Sequence, residues 1–488
     1  MNNYMKILLI NPPAFNDIGE VTALNPFLGL LYLAAFSEKH GYPNTKIVDA
    51  DVARLSWQEL GNLLVKESPD IVGITATTRF LPALFKTAEI ARKKLPNSVI
   101  VAGGWGPTVE PEKVLKAANQ AVDLVVMKEG EATFLEIIKR TEAGSKDFNG
   151  INGLAFLGKN GWLTVTQPRE LIMDLDSIPW PAYHLLYPDF SEYCGMHRSL
   201  EGMTHPVATM SATRGCPNRC AYCSSGRTLH RSRGPKDIVA EMEFYKNKFQ
   251  VKSIQLYDDD FIGLTPKQNE WIKEICNEII KKNLHKTLAF LAWGRCSQFI
   301  ELETLKKMKE ANFVWIRWGV ESGSQKVLDV IKKDIQVPNI IRAFALAREA
   351  GIKSAAYIMI GLPGETPADI KMTSDLIKKI KADRVSIHPL TPWPGTEMTR
   401  YLKENNLLDE LTPDYYKLDM RKNIIHHTNE MTRDEIMKYY RLMIFRFESN
   451  YRNFIKFGVK SLTTIDGWKK LFKRIKIIIN YFLGWSKL

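Results

Sequence analysis

The sequence predicts an α/β protein: an amino-terminal doubly wound parallel sheet, then a partial (β/α)6 barrel, then a helical carboxyl-terminal extension. Three observations carry this prediction. Short apolar runs alternate with segments of helical period across the first third of the chain, and again across its middle. At 488 residues the chain exceeds one ordinary compact core, so two or three domains are expected. Beyond about residue 400 the strand signals stop and the pattern becomes helical and increasingly basic. The expected divisions are 1–144, 145–205, 206–400 and 401–488.

In the first division, 6–11, 46–51, 70–75, 99–104 and 124–127 read as strands. Leu81, Leu84, Phe85, Ala88 and Ala91 illustrate the helical spacing between them. Met5–Asn11 is a short apolar run ending in Asn-Pro-Pro, which reads as a first strand and not as a secretory signal. A doubly wound sheet binds ligands at the carboxyl ends of its strands. The turns Asn11-Pro-Pro13, Thr75-Ala-Thr-Thr78 and Gly103-Gly104-Trp-Gly106 all fall on that edge. Residues 151–170 carry two apolar runs around Lys159-Asn-Gly161, a hairpin pattern. The prolines of Leu175-Asp-Ser-Ile-Pro-Trp-Pro-Ala-Tyr183 then oppose regular structure, so 145–205 reads as a linker packing two domains together.

In the third division, 253–257, 289–293, 315–319, 355–360 and 384–387 read as strands, with helices near 237–247, 266–282, 301–311, 338–350 and 367–380. A barrel of such units keeps its chemistry at the carboxyl ends of the strands. Ahead of these strands, where it would follow the barrel's first strand, lies Arg214-Gly-Cys-Pro-Asn-Arg-Cys-Ala-Tyr-Cys-Ser-Ser-Gly226. Three thiolates so close on one loop, Cys216, Cys220 and Cys223, suit an iron–sulfur cluster better than a disulfide or a zinc site, since structural zinc takes four ligands, usually as two separated pairs. A cubane held by four cysteines is coordinatively closed, whereas three leave one iron open to a substrate or cofactor. Cys194, Cys276 and Cys296 stand singly and read as buried small hydrophobes.

With Tyr222 just before the third cysteine, the pattern resembles the radical S-adenosylmethionine (radical SAM) signature, in which the open iron of a [4Fe-4S] cluster chelates the amino and carboxylate groups of SAM. The first division adds to this. Asn11-Pro-Pro13, Asn25-Pro-Phe-Leu-Gly-Leu-Leu-Tyr-Leu-Ala34, Gly103-Gly-Trp-Gly-Pro-Thr108 and Lys128-Glu-Gly-Glu-Ala-Thr-Phe134 occur in the order found in cobalamin-dependent radical SAM enzymes, and the resemblance extends to about residue 400. It implies a cobalamin-binding-like first domain in which Thr75, Thr77, Gly103 and Gly104 line the slot for the cobalamin tail. The Asp-x-His-x-x-Gly motif that supplies an axial histidine in other cobalamin proteins is absent, and His40 reads as a helix-end residue.

For the barrel, the resemblance implies that Tyr222, Glu321, Ser322, Gly361 and Gly364 serve SAM: Glu321 and Ser322 its ribose and amino-acid end, the two glycines its adenine. A buried carboxylate at Glu321 needs a donor, which the hydroxyls or ammonium of SAM could supply. Asp258 and Asp259 are expected to face the cavity and, with the strand-end His388, are the catalytic candidates; Asp260 reads equally as a helix-capping acid and Arg295 as half of a salt bridge.

The implied activity is SAM cleavage to a 5′-deoxyadenosyl radical that takes hydrogen from an unactivated carbon, which methylcobalamin then methylates. The alternative is radical cyclisation or oxidation, as in tetrapyrrole-cyclase-like or hopanoid-related members. A tRNA methylthiotransferase is disfavoured because residues 1–193 contain no cysteine. The expected partners are a small-molecule or lipid-like substrate and a flavodoxin- or ferredoxin-type electron donor, in an anaerobic cytoplasm. The formal charge of +13 favours an anionic partner. In 467–485 Trp468, Leu471, Phe472, Ile475, Ile478, Ile479 and Phe482 share a helical face opposite lysines and Arg474, the pattern of a membrane-surface helix or of one docked on the protein's own body. No stretch is long enough to span a bilayer, and without a stacking platform nucleic acid is disfavoured.

Overall fold

Five of the early apolar runs form parallel strands: β1 (Ile7–Asn11), β2 (Thr45–Asp49), β3 (Ile71–Thr75), β4 (Val99–Gly103) and β5 (Leu124–Val126). The computed structural model describes residues 5–14, 25–117, 120–193, 200, 202–408 and 424–448. All five residues of β1 are buried, as a strand covered by helices on both faces requires. Its side chains alternate: Ile7 and Leu9 enter one core with Leu31 and Phe134, while Leu8 and Ile10 enter the other with Leu60, Leu64 and Leu84. Helix starts follow local chemistry, as where Ser56 and Glu59 form a reciprocal cap on Trp57–Glu67.

The stretch read as a linker does more than link. Strands β6 (Leu154–Leu157) and β7 (Leu163–Val165) form the expected hairpin, and β6 pairs antiparallel with β5. At the opposite edge, β8 (Leu186–Tyr187) pairs with β2, so the sheet has eight strands ordered β7-β6-β5-β4-β3-β1-β2-β8.

Strand β9 (Val207–Met210) opens the barrel. A two-stranded ribbon of β10 (Thr213–Arg214) and β11 (Arg231–Ser232) follows, holding the cysteine loop between its strands. Then β12 (Ser253–Leu256), β13 (Ala289–Arg295), β14 (Phe313–Glu321), β15 (Lys353–Ile360) and β16 (Arg384–Pro389) complete a parallel sheet ordered β16-β15-β14-β13-β12-β9. Helices Pro235–Phe249, Pro266–Lys281, Leu302–Glu310, Val337–Glu349 and Pro367–Ile380 alternate with these strands. In β14, Trp318 packs on Phe344 of a covering helix; Arg317, Gly319 and Glu321 therefore line the concave face.

One core cluster runs without a break from Leu9 and Phe134 of the first sheet to Met210, Leu256 and Ile358 of the barrel. Tyr183 sits at the seam, its ring 5.1 Å from both Phe190 and Tyr245 and its hydroxyl donating to the Thr209 carbonyl at 2.6 Å. Cys276 and Cys296 are free and fully buried, as expected; Cys194 and the basic stretch 467–485 lie outside the described residues. Among the described residues no helix is long and apolar enough to cross a membrane.

Candidate active site

The cysteine loop is built by its own backbone. Gly215 adopts φ +84, and a Cβ there would lie 2.2 Å from the Leu229 carbonyl oxygen, so this turn requires glycine. The Thr228 amide donates to the Cys216 carbonyl at 3.0 Å, and its hydroxyl accepts the Cys216 amide at 2.9 Å. The Ala221 amide bonds to Ile331 and its carbonyl accepts from Met398, tying the loop to the barrel's far side. Burial pushes the Cys216 thiol up to about 11 and also raises Cys223. The protein alone therefore leaves these groups protonated, and coordination to a metal would deprotonate them.

Asp258 does not face the cavity as expected. Its Oδ1 accepts from the amides of Ala212 (2.9 Å) and Thr213 (2.5 Å) and from the Thr213 hydroxyl (2.7 Å), clamping the turn that leads into the cysteine loop. Strand geometry explains this, since a residue just past β12 lies beside the end of the neighbouring β9. Burial pushes Asp258 up to about 7. A carboxyl raised in the fold binds more protons folded than unfolded, so its contribution to stability falls as pH rises from about 4 through 7. Asp258→Asn is expected to flatten that part of the stability profile, measured as denaturation midpoints at pH 5 and pH 8. Asp259, the neighbour, lines the cleft between sheet and barrel, and burial raises its carboxyl against a hydrogen bond from Ser225.

Glu321 ends β14 at φ +63, a conformation rare for an L side chain. Its donors come from the chain itself: Lys333 Nζ and the Tyr222 hydroxyl each reach Glu321 Oε1 at 2.9 Å, and Lys333 also donates to Tyr222 at 3.2 Å. Glu321 thus has donors from the chain without calling on SAM. Although burial opposes its charge, Glu321 beside it holds the Lys333 ammonium well above the ordinary range. Lys333 carries no signal in the sequence, where it sits in an unremarkable Lys332-Lys-Asp334 run.

Ser322 is fully buried, and its hydroxyl meets Thr373 at 3.3 Å and accepts the Ser324 amide at 3.2 Å, which makes it a turn-former and not a cavity group. Gly361 is approached by the carboxyl-terminal segment: a Cβ there would lie 2.7 Å from Ile436, and His426 Nε2 donates to its carbonyl at 2.9 Å. The Gly364 amide donates to Glu430 at 3.1 Å. The two glycines therefore dock the chain's own helical extension on these sides, where adenine was expected. His388 meets the Ser386 hydroxyl at 2.9 Å and stacks on Tyr357, next to Trp293 and Tyr257 on the concave wall.

On the first sheet, Thr75, Gly103 and Gly104 come together at the carboxyl edge, while Thr77 turns to the surface. Gly104 has φ +90, and a Cβ there would lie 2.8 Å from both Ala76 O and Thr75 Oγ1. These residues line one side of a cavity of about 400 Å³. Arg214, Gly215, Tyr257 and Asp259 of the barrel line the other. Arg214 bridges the two, bonding Glu131 at 2.6 Å and lying 4.9 Å over the Tyr32 ring, and Arg231 bonds Glu129 at 3.1 Å. His40 caps its helix, donating from Nδ1 to the Phe36 carbonyl.

Residues 210–377 match the model of the radical SAM superfamily, and 18–138 match the B12 binding domain. A protein of Pyrococcus horikoshii named as an uncharacterized methyltransferase is 32% identical over 444 residues, covering 89% of this chain and 92% of that one. The chain belongs to the cobalamin-binding radical SAM enzymes. The enzyme is also 29% identical over 409 residues to the anaerobic magnesium-protoporphyrin IX monomethyl ester cyclase of Rubrivivax gelatinosus, covering 82% of this chain and 70% of that one. Two solved structures share the fold. The radical SAM methyltransferase TsrM of Kitasatospora setae, with cobalamin and a [4Fe-4S] cluster bound, superposes with a TM-score of 0.67 at 18% identity over 90% of this chain and 81% of that one. The cobalamin-dependent enzyme OxsB gives 0.74 at 17% identity over 99% and 72%.

The enzyme therefore uses a [4Fe-4S] cluster, SAM and cobalamin. Its residues fit the cluster and the cobalamin. Three thiols on one loop suit a cluster with an open iron, and among the described residues no three His, Cys, Asp or Glu side chains converge on a single-ion position. The glycine edge and the cavity beneath it leave room for a bulky cofactor between sheet and barrel. Besides Lys333, reading the sequence missed Asn218 and the placement of Asp260 and Arg295 beside the cysteines; Asn218 at least lies inside the cysteine run.

Proposed function

We propose that the enzyme is a methyltransferase acting on a small molecule, with Cys216, Cys220 and Cys223 holding the cluster and Thr75, Gly103 and Gly104 receiving cobalamin. The observation that supports this most is the shared cavity: the cobalamin-type edge and the cysteine-loop barrel open onto one space of about 400 Å³. When bound, cluster and SAM supply one-electron bond cleavage and cobalamin a transferable methyl group, while the protein supplies placement and exclusion of water. Arg214 and Arg231, anchored on Glu131 and Glu129, hold the two walls in register. Arg295, whose buried Nη2 has no partner, is a donor available to the carboxylate of SAM. Tyr257, Trp293, Tyr357 and His388 form an aromatic wall for the substrate on the concave face.

The test uses anaerobically reconstituted enzyme, cobalamin, a reductant and SAM bearing a deuterated methyl group, with a small-molecule extract as substrate. S-adenosylhomocysteine, 5′-deoxyadenosine and label in a metabolite support methyl transfer. 5′-Deoxyadenosine with an altered, unlabelled metabolite would favour ring formation, the second reading, which the likeness to the Rubrivivax gelatinosus cyclase supports. Gly103→Leu checks the cobalamin assignment. The nearest atom to a Cβ at Gly103 is 3.9 Å away, so the fold should tolerate the change while the longer side chain fills the cleft. Bound cobalamin, read from visible absorbance, should fall at least tenfold with iron content unchanged.

A further inference from the structure

Two of the three cysteine sulfurs receive side-chain N–H groups; a buried acid bonds the first donor and lies near the second without bonding it. Asn218 Nδ2 lies 3.2 Å from Cys216 Sγ and 3.2 Å from Asp260 Oδ2; an amide nitrogen carries two hydrogens, one for each. Arg295 Nη1 lies 3.9 Å from Cys220 Sγ. Asp260 and Arg295 are only 5% and 6% exposed. Their backbones are knitted together: the Phe261 amide bonds to Trp293 and the Arg295 amide to Ile262. Gln268 further fixes the Asp260 carbonyl at 3.1 Å. Burial pushes the Asp260 carboxyl up to about 7, with the Arg295 guanidinium as the largest opposing influence, followed by Lys333. Asp260 is thus no solvated helix cap. It is the acceptor that orients the amide reaching one sulfur, and a negative charge close to, though not bonded to, the guanidinium that reaches another.

We infer that Asp260 is a positioning residue that sets the reduction potential of the cluster, by orienting Asn218 on Cys216 and by balancing the charge of Arg295 beside Cys220. Hydrogen bonds to cluster sulfurs and nearby positive charge favour the reduced state, because reduction adds an electron to a buried site; a nearby carboxylate opposes it. The two charges therefore pull in opposite directions. Removing Asp260's charge makes the cluster easier to reduce, and removing Arg295's charge makes it harder.

The experiment is a potentiometric titration of reconstituted enzyme, followed by electron paramagnetic resonance at pH 8.5, on wild type, Asp260→Asn, Arg295→Met and Arg295→Lys. The expected result is an upward shift for Asp260→Asn and a downward shift for Arg295→Met, each at least tenfold in the reduction equilibrium, about 59 mV for a one-electron couple. Arg295→Lys, which keeps the charge, should return most of the way to wild type. Shifts of the same sign, or none, would overturn the inference, and so would an Asp260→Asn protein that takes up no iron, because the cysteines alone should suffice to hold the cluster. The inference rests on the three cysteines holding the cluster, but the readout involves no substrate and no methyl transfer, so its failure is distinguishable from failure of the proposed reaction.

Discussion

A Cys220→Ser variant should release no 5′-deoxyadenosine from SAM above background, and should reconstitute with less iron than wild type. The loss is expected to be complete because three ligands are the minimum that holds a cubane while leaving one iron open. Serine offers an oxygen of similar reach, but Fe–S clusters are held by thiolates. A second cost falls at the same point: Arg295 Nη1 loses the sulfur it approaches at 3.9 Å and stays buried as a cation. The loop itself should survive, since its Ala221 and Cys216 backbone bonds do not involve the Cys220 side chain. Far-ultraviolet circular dichroism close to wild type, together with iron content and product chromatography, separates lost chemistry from lost fold. Wild-type 5′-deoxyadenosine release by the variant would remove Cys220 from the ligand set.

Lys333→Met is expected to be the most destabilising single substitution near the site. Lys333 and Glu321 are each only 10% exposed in their side chains and meet at 2.9 Å. Removing one member of a buried pair leaves the other charged and uncompensated, a loss of ~3–5 kcal/mol. Here the stranded group is Glu321, which retains the Tyr222 hydroxyl but no cation bonded to it. The strain should pass to Tyr222, which sits between Cys220 and Cys223, so weaker cluster retention is expected too. Glu321→Gln combined with Lys333→Met should recover much of the stability, because both charges are then gone. Urea midpoints of the two single variants and the double variant form the test; an additive double variant would mean that the pair is not coupled.

What could be read in advance follows from how far each interaction reaches along the chain. The strands of both sheets were legible because parallel strands covered on both faces must be apolar throughout, as 7–10 and 71–74 are. The cysteine loop was legible because its donors lie within eight residues, Cys216 to Cys223. The surroundings of Glu321 were not, because its lysine lies twelve positions away in a run that looks solvated. Nor were those of Gly361, whose neighbours His426 and Ile436 arrive from beyond residue 420 and leave no local mark. Asp258 and Asp260 show a further limit. Three consecutive acids give one local pattern, yet neighbouring side chains leave the backbone in different directions, so one clamps a turn, one enters the cleft and one supports the cysteines.

The unbroken core across the Tyr183 seam bears on how such an enzyme can diversify. A sheet and a barrel with separate interiors could be exchanged between relatives like beads on a string. Here Leu9, Tyr183, Met210 and Ile358 belong to one interior, so a graft cut at the proline-rich crossing would bare apolar surface on both pieces. The half that receives cobalamin and the half that opens SAM therefore share one interior, and a change of chemistry that keeps this core intact falls on residues lining the space between them.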